Sequence, residues 1–295
     1  MKRLGCLLAA LLGLGVAHAA PLPTDELERA CWQRHTAERT QINLKEPTEV
    51  AFSNLRDGQR VRAPFAVEFA VRGMGVVPAG KVLAGSGHHH LLVNTPLPWD
   101  VTQKIPFSDT HKHFGKGQTA TVLDLPPGKH KLRLLFADHD HKPYYVFSPE
   151  ITVEVTGRRS GPGPKIDPAN LKASCDAWYE EELSRPRAPG EWVAITNVRD
   201  GESVTSPFNV RFGVEGWGVC AAGQSAERSG HFLLEVMRDG KLQRQVDLSN
   251  GATQTNLALA NGRYVLRLRF VDGKSRNDLL PVSETAVVVS GQDRL

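Results

Sequence analysis

The 295-residue chain is poor in sulfur: it contains four cysteines, none of them in a Cys-x-x-Cys pair, and three methionines. This scarcity argues against a thiolate zinc site, a dithiol redox motif and a thioether-rich copper(I) site. The sequence also lacks a Gly-x-Ser-x-Gly elbow, a His-Glu-x-x-His helix and a phosphate-cradling loop. We therefore predict no catalytic residues, and a histidine-dependent metalloenzyme is the least favoured function.

Strong net charge and long apolar runs are also missing. The formal net charge of +4 gives no reason to expect a nucleic-acid partner. The apolar stretch Leu4–Val16 is too short to span a bilayer, and no later stretch is longer. It follows a basic start and precedes Ala17-His18-Ala19, an order typical of a cleaved signal peptide over residues 1–19. We expect a periplasmic or secreted protein without a membrane span.

An internal duplication with a spacing of 143 residues is the clearest pattern in the sequence. The matching pairs are SNLRDGQRV at 53–61 with TNVRDGESV at 196–204, GMGVVPAG at 73–80 with GWGVCAAG at 216–223, and GHHHLLV at 87–93 with GHFLLEV at 230–236. Helix-like segments at 24–41 and 170–185 precede the two copies. A Gly/Pro-rich linker separates them. The predicted domains are therefore 20–157 and 170–295, joined by the linker 158–169.

Within each copy, apolar and polar residues alternate in short β-branched segments bounded by turn residues. Phe65, Val67, Phe69 and Val71, for example, would share one face of a strand. This pattern predicts an all-β chain of two tandem immunoglobulin-like β-sandwich units, each preceded by a short helix. A small barrel is the main alternative.

Three cysteines follow the predicted signal peptide, so we expect one disulfide and one free thiol. Cys31 and Cys175 occupy equivalent positions in the two leading segments, which favours a bond between them. The competing pairing joins Cys175 to Cys220.

Eight histidines lie between residues 88 and 141 of the first copy, whereas the second copy keeps only His231, at the position of His88. Two copies of one scaffold share packing requirements, so the extra histidines of the first copy indicate a site. Alternation places His89 toward the core and His88 and His90 away from it. His130 shares a strand face with leucines, which favours a structural role.

Histidines two residues apart would put both imidazoles on one face of a strand, a common way to supply metal ligands. Three pairs have this spacing: His88/His90, His111/His113 and His139/His141. We predict a site for zinc or copper(II) with five candidate ligands: His88, His90, His111, His113 and His141. The segment carrying His111 and His113 is predicted to be a loop that folds over the strand of His90. Because the ligand is neutral imidazole, we expect binding to weaken below about pH 6.

The same region resembles a bacterial exported family catalogued as domain of unknown function forty-three ninety-nine. The resemblance lies in the motifs GHHHLLV, His111-Lys-His113-Phe-Gly-Lys-Gly-Gln118-Thr119, PGKHKL and Asp138-x-x-His141-x-Pro143 of the first copy. It implies no established reaction. It marks His89, Gln118 and Asp138 as candidate cofactor contacts beside the metal ligands.

The main alternative partner is a small anion or an acidic component of the cell envelope, such as a glycan. Lysines stand among the histidines, and a positive field there would favour a phosphate or carboxylate over a cation. In either case we expect the two copies to divide labour, with the C-terminal copy acting as a scaffold or docking half.

Overall fold

The computed structural model describes residues 17–18, 20–43, 48–224 and 226–291. The predicted signal peptide lies outside these residues except for strand β1, Ala17–His18, which pairs in parallel with residues 283–284. Cleavage after Ala19 would remove this strand.

The described part of the first copy forms two facing sheets. The larger sheet has the order β3–β11–β9–β6–β5, with β10 on β9 and β7 on β6, and the smaller sheet has the order β2–β4–β8. The strands are β2 Glu49–Phe52, β3 Arg60–Ala63, β4 Phe65–Arg72, β5 Gly75–Val76, β6 Ser86–Val93, β7 His111–His113, β8 Ala120–Leu123, β9 Gly128–Ala137, β10 Pro143–Phe147 and β11 Ile151–Arg158.

The second copy repeats this arrangement. Its larger sheet runs β13–β20–β19–β16–β15 with β17 on β16, and its smaller sheet runs β12–β14–β18. The strands are β12 Trp192–Ile195, β13 Glu202–Thr205, β14 Phe208–Glu215, β15 Gly218–Val219, β16 Ser229–Arg238, β17 Lys241–Asp247, β18 Gln254–Leu257, β19 Gly262–Val271 and β20 Ser283–Ser290. The prediction of two tandem sandwich units in a mostly β chain is confirmed.

Alternation along the strands produces the core, as predicted. Phe65, Val67, Phe69 and Val71 of β4 are buried. They pack with alternate residues of the facing sheet, and the apolar residues of both copies form one continuous cluster. The two sandwiches are therefore not separated by a layer of polar residues.

Short helices precede the sandwiches inside the predicted segments: α1 Glu26–Arg34, α2 Thr36–Arg39 and α3 Leu171–Leu183. Asp25 caps α1, because its side chain accepts a hydrogen bond from the backbone N–H of Glu28 at 3.0 Å.

Each leading helical segment packs against the sandwich of the other copy. Asn197 Nδ2 in the second sandwich donates to the carbonyl of Arg39 at 3.0 Å, and the equivalent Asn54 Nδ2 in the first donates to the carbonyl of Leu183 at 2.9 Å. The buried Glu202 of β13 binds the first helical segment through an ion pair with Arg39 and a 2.9 Å hydrogen bond from Trp32 Nε1. The helices are exchanged between the copies.

A disulfide between Cys31 and Cys175 joins the exchanged helices, so the favoured pairing is confirmed. Cys220 is unbonded and buried.

The sandwiches also contact each other through a reciprocal pair of backbone hydrogen bonds. Val76 N donates to the carbonyl of Gly251, and Val219 N donates to the carbonyl of Gly117, both at 2.8 Å. Both glycines have a φ of +82°. A Cβ at either position would lie 2.2–2.3 Å from a carbonyl oxygen of the opposite copy. The approach therefore requires glycine, and the two copies are related by an approximate two-fold axis.

Candidate metal centre

Strand β6 places three consecutive histidines on opposite faces of the larger sheet. His89 points into the core, where its ring centroid lies 5.1 Å from that of Phe69 and 4.9 Å from that of Phe136. His88 and His90 point away from the core, as predicted, but they are fully buried. The structure therefore keeps His89, a predicted cofactor contact, on the other side of the sheet from the other two rings.

Strand β7 brings His113 beside this pair. It pairs antiparallel with β6, so that His113 lies opposite His90 and His111 lies opposite Leu92. His111 does not join the cluster, because its Nδ1 lies 3.2 Å from Ser108 Oγ and 3.1 Å from Thr110 Oγ1. The segment is an edge strand and not the predicted loop. Only one of its two histidines is therefore within reach of His90.

A tight turn after β9 supplies His141. This residue has a φ of +65°, which is unusual for a side chain with a Cβ. Asp138 holds the turn, because its Oδ1 accepts hydrogen bonds from the backbone N–H groups of Asp140 at 2.8 Å and Lys142 at 2.9 Å. Asp138, another predicted cofactor contact, thus shapes the turn that carries His141. Because His139 and His141 lie in a turn, the alternation rule for strands does not relate them.

Four imidazoles converge where β6, β7 and this turn meet. Ligand nitrogens of His88, His90, His113 and His141 all lie within 4.8 Å of one another. His88 Nε2 is 3.1 Å from His90 Nε2 and 3.2 Å from His141 Nδ1. Four of the five predicted metal ligands are brought together, and His111 is not.

Burial favours the neutral form of these rings. Desolvation, together with the neighbouring imidazoles, lowers the pKa of His88 to about 3 and that of His90 to about 2. Desolvation and His141 also lower the pKa of His113. Their nitrogen lone pairs therefore remain available at neutral pH, as metal ligation requires.

Phe107 covers the cluster, a feature that the sequence analysis missed. Its ring centroid lies 4.4 Å from that of His113 in a stacked arrangement and 5.1 Å from that of His141. The preceding segment is anchored by Ile105, whose N–H donates to the carbonyl of His141 at 2.9 Å. Phe107 precedes the histidine motif by only a few residues, but no periodic pattern links it to the cluster.

Other predicted residues lie outside the cluster. Gln118 Oε1 accepts a hydrogen bond from Lys116 N at 2.9 Å in the segment that faces the second copy. His130 is buried, with Nε2 2.8 Å from the carbonyl of Pro126 and Nδ1 3.0 Å from Asn94 Nδ2. These contacts support the structural role expected for His130.

Carboxylates accompany the lysines near the site. Lys104 forms an ion pair with Asp140, and Lys142 Nζ lies 3.7 Å from the same carboxylate. Further along the outer face, Lys131 Nζ lies 2.9 Å from Glu150. These carboxylates offset part of the positive charge in this region.

A family model described as Domain of unknown function (DUF4399) matches residues 67–156 and 210–290. The chain belongs to this family. The match covers the four clustered histidines, and its second segment shows that the C-terminal copy is also a DUF4399 unit. No curated protein shows significant similarity to the chain.

The comparison with solved structures finds fibronectin-type modules and segments of larger proteins, all at low identity. The fibronectin(III)-like modules of Clostridium thermocellum CbhA are 10% identical, with 82% of this chain and 93% of that chain covered and a TM-score of 0.24. Dimeric latent PorU from Porphyromonas gingivalis is 11% identical, with 85% and 21% covered and a TM-score of 0.28. A two-domain fibronectin type-III segment of chicken tenascin is 10% identical, with 82% and 97% covered and a TM-score of 0.20.

The second DUF4399 unit retains the scaffold but only one imidazole of the cluster. His231 occupies the position of His88, since the two residues pair with equivalent residues of β19 and β9. Both are fully buried. Leu233 stands where the first unit has His90, and Phe232 stands where it has His89. Within the part of the chain that the structure describes, the four-histidine cluster occurs in the first DUF4399 unit.

Two further observations bear on ligands and membranes. Cys31, His35 and Cys175 also lie close together, but the two sulfurs are bonded to each other and are not free thiolates. In the described ranges, no helix is both long and apolar enough to cross a bilayer.

Proposed function

We propose that this chain is an exported binding module whose first DUF4399 unit holds one divalent transition-metal ion. The ligands are His88, His90, His113 and His141. The observation that carries the proposal is the convergence of their ligand nitrogens within 4.8 Å of one another.

The spacing of the nitrogens fits a metal-centred arrangement. Nitrogens about 2.05 Å from a tetrahedral zinc ion would lie about 3.3 Å apart. The separations of His88 Nε2 from His90 Nε2 and from His141 Nδ1, 3.1 and 3.2 Å, are close to this value. A single ring nitrogen cannot donate to both neighbours, because it carries at most one proton. A central cation satisfies all the lone pairs at once.

The ligand set favours zinc or copper(II). Imidazole suits both ions, and the cluster contains no soft sulfur ligand that would select copper(I). Four protein nitrogens fill a tetrahedral zinc site, whereas catalytic zinc sites keep one position for water or substrate. The arrangement therefore supports metal binding more than metal-assisted catalysis.

Binding of an anion or an acidic envelope glycan is the weaker alternative. Such a ligand needs a positive site. The lowered pKa of His88 and His90 keeps both rings uncharged at neutral pH, and Asp140 lies beside both Lys104 and Lys142. These features favour a cation at the centre of the cluster.

Export is part of the proposal, on the basis of the signal-like residues 1–19 and of the Cys31–Cys175 disulfide, a bond typical of oxidising compartments. The test is cell fractionation of the native producer, followed by intact-mass analysis. We expect chains that begin at Ala20 in the periplasm or medium. Full-length chains confined to the cytosol would refute export without affecting the metal proposal.

Metal binding is tested on the tag-free mature protein by elemental analysis and calorimetric titration with zinc and copper(II). We expect one ion per chain. His113→Ala and His141→Ala should each weaken binding at least tenfold, because each removes a ligand. His111→Ala and His139→Ala are matched controls from the same strand and turn and should bind normally. A folded protein that takes up neither metal at micromolar concentration would refute the proposal.

A further inference from the structure

The second DUF4399 unit contains a charged cluster at the place where the first has its metal ligands. On β16, Leu233 pairs with Asp247 of β17 in the same way as His90 of β6 pairs with His113 of β7. The backbone bond that follows each pair is also equivalent, since Leu248 N donates to Phe232 O at 3.0 Å and Phe114 N donates to His89 O at 3.1 Å. Asp247 therefore occupies the position of His113.

Arg276 occupies the position of His141, although one inserted residue hides this in the sequence. His141 N donates to the carbonyl of Asp138, and Arg276 N donates to the carbonyl of Asp272, both at 3.1 Å. The φ angles of His141 and Arg276 are +65° and +61°. The residue after each of these two closes its turn. Asp138 N donates to the carbonyl of Lys142, and Asp272 N donates to the carbonyl of Asn277, both at 2.9 Å.

The charged side chains meet as the imidazoles do in the first unit. Arg276 Nη1 lies 2.6 Å from Asp247 Oδ2, and His231 Nε2 lies 3.1 Å from Asp247 Oδ1. We infer that the guanidinium of Arg276 is a built-in cation that takes the place of the metal ion in the second unit. This inference rests on the metal site proposed for the first unit.

Charge balance explains why a guanidinium can replace the metal ion in the second unit. Four neutral imidazoles offer lone pairs and no cation of their own, whereas the second cluster contains one guanidinium and one carboxylate. Arg276 can donate to Asp247 from a fixed position, but it has no lone pair to offer to a metal. The second unit is thereby held together without metal, and only the first unit responds to it.

The experiment restores the missing ligands. Leu233→His, Asp247→His and Arg276→His together recreate a four-histidine set with His231. Zinc bound per chain is measured by elemental analysis after dialysis, and folding is checked by circular dichroism. We expect one ion in the parent and two in the triple variant. A control variant that combines Leu233→Phe, Asp247→Asn and Arg276→Gln adds no imidazole and should bind one ion.

A chain without the site of the first unit separates this inference from the proposed function. When His90→Ala and His141→Ala have removed that site, the same three histidine substitutions should raise the zinc content from zero to one ion per chain. If the parent binds one ion and the folded triple variant also binds one, the inference is refuted and the proposed function stands. If the parent binds none, the proposed function fails. Should the triple variant not fold, Asp247→His with Arg276→His keeps Leu233 and should still add an ion through three imidazoles, and a folded double variant with no added ion refutes the inference.

Discussion

Replacing His89 with phenylalanine tests whether this residue packs in the core independently of the four-histidine cluster. In the second unit, the equivalent Phe232 packs at 5.4 Å from Phe212 and 5.3 Å from Phe270, measured between ring centroids. His89 is held in the same way by Phe69 and Phe136. His89→Phe should therefore fit the core, and the metal stoichiometry should stay at one ion because this ring faces away from the cluster.

The change should stabilise the metal-free protein, and more so at acidic pH. Burial lowers the pKa of His89 to about 3. The unfolded chain takes up a proton on this ring below about pH 6.5, whereas the folded chain does not until about pH 3, so the histidine costs stability as the pH falls between these values. At pH 5 the cost is about 2 kcal/mol. The buried Nδ1 of His89 has no hydrogen-bond partner among the described residues, which adds about 1–3 kcal/mol at any pH.

Urea denaturation of parent and variant, both stripped of metal, at pH 7.5 and pH 5.0 measures these terms. The difference in free energy of unfolding should favour His89→Phe at both values and should be about 2 kcal/mol larger at pH 5.0. A difference that does not change with pH would show that His89 is not excluded from protonation in the fold. Loss of metal binding would place His89 in the site, contrary to its position in the core.

Three further outcomes follow from the structure. Because the pKa values of His88 and His90 are lowered, zinc affinity should fall between pH 7.5 and 5.5 by far less than the about 10⁴-fold expected for four ordinary imidazoles, as measured by competition with a chelator of known affinity. Asp138→Ala should weaken binding about 10–100-fold by releasing the His141 turn, whereas Asp140→Ala should change it little, which calorimetry will show. The isolated segment 20–157 should fail to give a cooperative thermal transition until the C-terminal half is added, and a cooperative transition of that segment alone would contradict this expectation.

The structure predicts a smaller loss of metal affinity at acidic pH than the sequence does. If the imidazoles had ordinary pKa values, metal binding should weaken below about pH 6. Burial at the floor of the cluster lowers the pKa of His88 and His90, so protons compete with the metal for these rings only at lower pH. Sequence patterns do not report how deeply a side chain will be buried by a segment from elsewhere in the chain. Here the covering segment includes Ile105 and Phe107, which carry no periodic signal.

The alternation of side chains along a strand predicted their directions correctly where the residues lie on strands. It assigned His89 to the core and the flanking histidines to the opposite face, and both assignments agree with the structure. It failed at His139 and His141, because a turn with positive φ replaces the strand there. It also could not separate His111 from His113, since the register with β6 decides which of the two reaches the cluster.

The duplication was visible in sequence, but the exchange of helices was not. A helix that precedes a sandwich in the chain can pack on either copy, and the linker at 158–169 does not specify which. The choice is made by complementary side chains, above all by Glu202, which is fully buried and receives Arg39 and Trp32 from the other copy's leading segment. The equivalent position in the first unit is Gln59, which lies against the carbonyl of Glu180 in α3 at 3.1 Å.

The difference between Glu202 and Gln59 gives the C-terminal unit a buried ion pair with a helical segment that the first unit lacks at the equivalent position. Its buried Glu202 needs the charge of Arg39, because an unpaired buried carboxylate costs several kcal/mol. The first helical segment therefore has a specific partner in the second unit, while α3 covers the first. The sandwich that carries the four-histidine cluster is thus completed by a helix from the other half of the chain. The two halves are therefore parts of one interlocked structure and not independent modules, and the division of labour between them stays a prediction.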